Sequence, residues 1–150
     1  MCVLCWRRTA GDSRPRDYPP RVPDHDPRHV PVLLREVLAL LAPGSGQVYV
    51  DATAGLGGHA FAVAPHLGTA GTILLNDLDP QNLGAAAQHV RALPSAPRVE
   101  TIHGNFALLP HGLSQRGLRA DMMLADLGFA SSQVDDPARG LSFQHDGPLD

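Results

Sequence analysis

The spacing of apolar residues divides this chain into a polar beginning and a regular succession of helix-like and strand-like segments. Residues 1 to about 27 have little to bury. DSRPRDYPPRVPDHDP is dense in Pro, Arg and Asp, a composition expected to stay solvated and disordered. The ordered domain is expected over 28–150. In VPVLLREVLALLAP, Leu33, Leu34, Val37, Leu38 and Leu41 recur at helical spacing, Pro31 suits a first turn and Pro43-Gly44 stops the helix. A first strand follows from Gln47 to about Ala52, a helix runs to about Leu67, and Pro65 shortens or bends it. A second strand, Thr72 to Asn76, leads through Asp77 to a helix from Pro80 through GAAAQHVRAL. A third, Val99 to His103, leads to an interrupted helix over about 107–115. A fourth, Asp121 to Ala125, ends at Asp126. The order α-β-α-β-α-β-α-β predicts an α/β fold, a parallel sheet with helices on both faces. After Asp126 the pattern gives way to a long Ser-, Asp-, Gly- and Pro-bearing segment, a length that inside a compact domain is usually functional.

The organising stretch is VYVDATAGLGGHA, Val48 to Ala60: an apolar run, an acid, three glycines and an Ala-rich helix start. In a strand–turn–helix unit of this kind the ligand sits over the turn, at the helix N-terminus.

Composition narrows the chemistry. The chain has 150 residues, 43% of them hydrophobic but only 5% aromatic, so a single core of Leu, Val and Ala is expected. A formal net charge of −3 argues against a basic nucleic-acid binder. All 12 basic residues are Arg, which excludes a P-loop lysine or a Schiff-base lysine within these residues. Cys2 and Cys5 form a C-x-x-C without further cysteines and are expected to be ordinary thiols in the tail. No apolar run approaches a membrane span, and the histidines show no metal-ligand spacing, so neither a membrane nor a metal partner is expected.

Three acids, Asp51, Asp77 and Asp126, fall at strand ends and should line one rim of the sheet. The turn Gly55-Leu56-Gly57-Gly58-His59-Ala60 fits G-x-G-x-x-A, with Asp77 about 20 residues on, so a nicotinamide dinucleotide is one candidate ligand. Asp51 argues for another. A carboxylate in the mouth of the turn repels a pyrophosphate by ~1–4 kcal/mol at ~4 Å. S-adenosylmethionine (SAM) has no phosphate and carries an ammonium and a sulfonium, which an acid suits. Asp77 can accept from both ribose hydroxyls, and Phe106 is placed either to cover an adenine or to fill the core. Asp79-Pro80 reads as an N-cap followed by Pro at the first helical position.

These residues resemble the RsmH/MraW family, SAM-dependent methyltransferases acting on the N4 amine of a cytosine in 16S ribosomal RNA of the small ribosomal subunit. The resemblance runs from HVPVLL through DATAGLGGH, NDLDPQ and HGNF to DLGFASSQVDDPARGLSFQHDGPLD, about the last four-fifths of the chain. Phe129-Ala130, Ser132 and Leu141 depart from the usual family residues. The resemblance implies a partial Rossmann-like class I methyltransferase fold: its first four parallel strands with covering helices. It also implies a cytoplasmic protein that binds SAM through Gly57, Gly58, His59, Asp77, Phe106, Asp126 and Gln133. The family continues past this point with a helical substrate-recognition insertion and further strands. The chain is therefore expected to behave as an N-terminal fragment, inactive alone, with the apolar strand Met122-Met123-Leu124 as an exposed sheet edge. A nicotinamide oxidoreductase and a non-catalytic RNA-binding fragment are the alternatives, separated by whether the chain takes SAM, NAD or neither.

Overall fold

The computed structural model describes residues 2–8, 31–128, 146 and 148. They form β1 (Cys2–Arg7), α1 (Leu34–Leu41), β2 (Val48–Asp51), α2 (Gly58–Leu67), β3 (Thr72–Asp77), α3 (Pro80–Arg91) and β4 (Arg98–His103). One turn of 3-10 helix (Phe106–Leu108), α4 (Leu109–Gln115) and β5 (Met122–Leu127) follow. From α1 onward the alternation is the expected one, with boundaries shifted by a residue or two.

The sheet order is β1-β5-β2-β3-β4, with β5-β2-β3-β4 parallel and β1 antiparallel to β5. The chain steps outward from β2 to β3 to β4, then returns across β2 to β5. Right-handed crossovers then put α2 and α3 on one face and α4 on the other, and burial divides the same way. Tyr49, Ile73, Leu75, Met122 and Leu124 pack with Leu38, Val63, Leu67, Ala86 and Val90 of α1, α2 and α3. Val50 and Leu74, pointing the other way, pack with Leu109 of α4. The central strands β2 and β3 are buried on both faces, which is why their sequences are nearly continuous apolar runs. The fold is a partial Rossmann-like α/β fold.

Two local expectations change. Pro31 is not in the first turn of α1, which starts at Leu34 after Leu33 in left-handed backbone (φ 54°). Pro31 instead packs on the glycine turn: a Cβ on Gly58 would lie 2.5 Å from its ring. Pro65 lies inside α2, which ends two residues later at Leu67 with Gly68 beyond, the early stop expected of it.

The largest correction concerns the start of the chain. Cys2–Arg7 is not part of a tail but a strand, paired with β5 from Cys2↔Leu127 to Arg7↔Met122. Its side chains alternate: Val3 and Cys5 pack toward the core under α1, while Leu4 and Trp6 are exposed. Cys5 is thus a half-buried thiol whose pKa burial pushes up. The expected bare edge at Met122-Met123-Leu124 is covered by backbone pairing to β1. Asp121 pins the junction: its carboxylate takes Arg8 in a salt bridge and accepts the Val48 N–H at 2.9 Å. Its backbone accepts the Arg8 N–H at 2.7 Å and donates to Val48 at 2.9 Å.

Candidate functional site

The carboxyl ends of β2, β3 and β5 meet at one rim. β2 lies where the strand order reverses, with β3 on one side and β5 on the other, the position where open α/β sheets hold ligands. From the end of β2 the chain turns through Ala52 to Gly57 into α2. Gly55 (φ 51°) and Gly57 (φ 84°) both use left-handed backbone. At Gly57 the requirement is double, because a Cβ there would lie 2.9 Å from Cα and Cβ of Ala86 on α3. A Cβ on Gly55 would meet nothing within 4 Å, so the turn is open on that side.

The turn is tied to both neighbouring strands. Toward β3, Ala54 N–H donates to the Asn76 carbonyl at 2.8 Å and Gly55 N–H to Asp77 Oδ2 at 2.7 Å. Toward β5, Ala52 N–H donates to the Leu124 carbonyl at 2.8 Å, and Thr53 Oγ1 accepts the Asp126 N–H at 2.8 Å.

Asp51, Asp77 and Asp126 are close enough for the last two to raise the pKa of the first. Their roles differ from expectation in one respect. Asp51 does not present its charge to the mouth of the turn. It is 1% exposed, accepts from the Tyr49 hydroxyl at 3.1 Å and accepts from Thr53 N–H at 3.3 Å. Burial pushes its carboxyl up to about 7, against the pull of those two hydrogen bonds and with help from Asp77 and Asp126. Tyr49, equally buried and beside that carboxyl, is pushed well above the usual phenol range. The acids that face the rim are Asp77 and Asp126. Asp77 Oδ1 accepts Asp79 N–H at 2.9 Å and its Oδ2 holds Gly55, which leaves roughly one lone pair on each oxygen of an ionised carboxylate. Asp126 Oδ1 is buried and has no hydrogen-bond partner among the described residues, an acceptor for a donor from outside.

Of the other expected site residues, His59 is buried in the first turn of α2. Phe106 is 47% exposed, so it does not fill the core and stands available at the rim. Gln133 lies outside the described residues. Asp79 caps α3, accepting from Gln81 N–H at 2.9 Å and Asn82 N–H at 3.3 Å, with Pro80 next, as its sequence context implies. Three residues went unforeseen. Asn76, buried, donates from Nδ2 to the carbonyls of Ile102 (2.8 Å) and Gly104 (2.9 Å), and so sets the exit of β4 that leads to Phe106. Thr53 bridges to Asp126. Leu78, directly after Asp77, is 68% exposed. A large apolar residue abutting a strand-end acid is the one sequence signal that marks it.

A rim of carboxylate acceptors beside an open glycine turn fits a ligand rich in donors and positive charge better than one rich in phosphate. That donor set matches SAM, with its ammonium and ribose hydroxyls.

Residues 26–150 match the model of the MraW methylase family. Three proteins named ribosomal RNA small subunit methyltransferase H are similar to the chain. The one from Neisseria gonorrhoeae (strain NCCP11945) is 43% identical over 124 residues, 82% of this chain and 38% of that protein. The one from Halorhodospira halophila is 45% identical over 124 residues, 81% of this chain and 37% of that protein. The one from Rubrobacter xylanophilus is 43% identical over 123 residues, 82% and 38% respectively. The chain thus spans about 38% of the length of these relatives.

Proposed function

The chain belongs to the MraW methylase family, and we propose that it is the cofactor-binding part of a cytoplasmic SAM-dependent methyltransferase acting on the N4 amine of a cytosine in 16S ribosomal RNA of the small ribosomal subunit. The observation that carries this reading is the family match over residues 26–150. The rim supports it, because among the described residues Asp77 and Asp126 have no Arg or His in an ion pair with them, which leaves the rim acidic and suited to a cationic ligand.

Bound SAM would supply a methyl group on a positively charged sulfur, an electrophile. Gly57, Gly58 and His59 would contact the cofactor from the turn and the start of α2, with the approach open at Gly55. Asp77 would accept from the ribose hydroxyls and Phe106 would cover the adenine. Asp126, with its unengaged Oδ1, would orient the cofactor or the target amine; Gln133 would add a contact from the segment after β5. The N4 amine is a poor nucleophile, since its lone pair is delocalised into the ring. The chain's contribution is therefore mainly positioning and exclusion of water; the amine would release one proton as the sulfur leaves as a neutral thioether, and no general base is assigned for that proton. The cytosine must be unstacked to reach the rim.

Calorimetric titration of the 150-residue chain with SAM and, separately, with NAD tests the reading. Uptake of SAM and not NAD is expected; the reverse makes the protein a nicotinamide oxidoreductase, and uptake of neither favours a non-catalytic RNA-binding fragment. We infer further that these residues alone do not methylate small ribosomal subunits, because they span only about 38% of the length of the relatives they match. Robust turnover by the 150-residue chain would overturn that.

A further inference from the structure

We propose that Thr53, seated by Asp51, is a positioning residue that fixes the Asp126 carboxylate at the crevice between β2 and β5. The inference rests on the reading of Asp126 as part of the cofactor site.

The ladder between β2 and β5 is Tyr49↔Met122, Val50↔Met123 and Asp51↔Leu124, and its last backbone bond is Ala52 N–H to the Leu124 carbonyl at 2.8 Å. β5 runs on to Leu127, whereas the β2 chain turns away into the glycine turn. The next N–H of β5 that points toward β2 is that of Asp126, and it meets no backbone carbonyl there. Thr53 Oγ1 takes its place at 2.8 Å, so a hydroxyl extends the ladder one step beyond the end of the strand. A buried N–H without such a partner is costly.

The bridge is itself held. Asp51 Oδ1 accepts the Thr53 N–H at 3.3 Å, an Asx-type turn two residues on, and Asp51 Oδ2 is anchored by the Tyr49 hydroxyl at 3.1 Å in the core. Thr is stiff at χ1, which restricts where its hydroxyl points. Among the described residues, Thr53 is the residue of the turn after Ala52 that reaches β5; Ala54 and Gly55 are tied to β3 instead. On the far side Asp126 pairs with Val3 of β1. The carboxylate whose Oδ1 has no partner among the described residues is thus aimed from a backbone gripped at one end of the crevice by Thr53.

The test compares three variants of the 150-residue chain. Thr53→Val keeps the shape and removes the acceptor. Thr53→Ser keeps the acceptor. Val90→Ala, in the core under α3, is a destabilised control away from the rim. Two quantities are read: SAM affinity by calorimetry and exchange of the Asp126 amide hydrogen by NMR. Thr53→Val should weaken SAM binding about tenfold and speed Asp126 exchange about tenfold relative to Leu124, the scale of one hydrogen bond to a buried N–H. Thr53→Ser should stay within about threefold on both and Val90→Ala should leave the affinity unchanged, since neither loses the acceptor. SAM affinity unchanged in Thr53→Val overturns the proposal, as does an equal loss in Val90→Ala. If the unaltered chain takes up no SAM, the cofactor reading is what fails. Asp126 exchange then decides the local role by itself: protection unaltered in Thr53→Val overturns it, and protection lost in Thr53→Val but kept in Thr53→Ser sustains it.

Discussion

The Tyr49 hydroxyl donates to Oδ2 of Asp51 at 3.1 Å, and both side chains are shut off from solvent at the centre of the sheet. An acid in that position stores pH dependence in the fold. Burial moves its pKa from 3.8 to about 7. The folded chain therefore holds the proton more tightly than the unfolded one. The associated stability is fully present below about pH 4 and is lost as pH rises to about 7. At ~1.4 kcal/mol per pH unit the loss is at most about 4 kcal/mol. Asp51→Asn, which stays neutral, should be as stable as the parent near about pH 3, where Asp51 is protonated in both states, and increasingly more stable from about pH 4 to pH 8. Urea denaturation across that range checks it, and an unchanged pH slope in the variant would rule out Asp51 as the source.

The junction at Asp121 gives a second expectation. Its carboxylate serves both Arg8 and the Val48 N–H, and the second of these is part-buried. Asp121→Ala should cost about 1–3 kcal/mol by leaving that N–H unsatisfied. Arg8→Ala removes only the half-exposed ion pair and should cost under about 1 kcal/mol. Equal losses in chemical denaturation would mean that the salt bridge to Arg8, not the hydrogen bond to Val48 N–H, is what Asp121 contributes.

Removing residues 1–8 should bare the backbone of β5 and leave Met122 and Leu124 on an unpaired edge. The shortened chain is expected to self-associate at concentrations where the parent is monodisperse, read by sedimentation velocity. A shortened chain that remains as well dispersed as the parent would show that β1 does not protect the edge.

Much of this architecture is written in local patterns, and its omissions share a cause. The β2 and β3 runs, the glycine turn and the Asp79-Pro80 cap are each decided within a few residues, so their spacing predicts them. β1 is decided by a partner some 120 residues away (Cys2 against Leu127), and a six-residue apolar segment before a Pro-Arg-Asp stretch carries no local sign of it. Asp51 was legible as a strand-end acid, but whether such an acid faces the rim or the core depends on the face Tyr49 buries. Thr53 and Asn76 are small polar residues whose importance lies in what crosses to them from β5 and β4. The segment after β5, which carries the most distinctive motif of the sequence and Gln133, lies outside the described residues.

Phe106 separates a ligand contact from a packing contact. It is about half exposed, so Phe106→Ala should cost only about 1 kcal/mol of stability. Loss of a stacking platform should still weaken SAM binding about tenfold. Calorimetry beside a denaturation curve distinguishes the two, and an unchanged affinity would remove Phe106 from the site.

The two glycines of the turn should respond differently to the same substitution. Gly55→Ala meets only the cost of left-handed backbone, about 1–2 kcal/mol, since its Cβ would enter open space. Gly57→Ala meets that cost and also 2.9 Å contacts with Cα and Cβ of Ala86, a backbone atom of α3 and the methyl fixed to it, neither of which can swing aside. Overpacking adds roughly 1–3 kcal/mol, and the relief available is to push α2 away from α3, which displaces the start of α2 from the rim. Gly57→Ala should therefore be less stable than Gly55→Ala by about 1–3 kcal/mol and lose SAM affinity even at temperatures where it is folded. Adding Ala86→Gly should restore part of both, because it removes one of the two contacting atoms. A double variant no better than Gly57→Ala alone, in thermal denaturation and in SAM titration, would place the whole penalty in the backbone conformation of the turn.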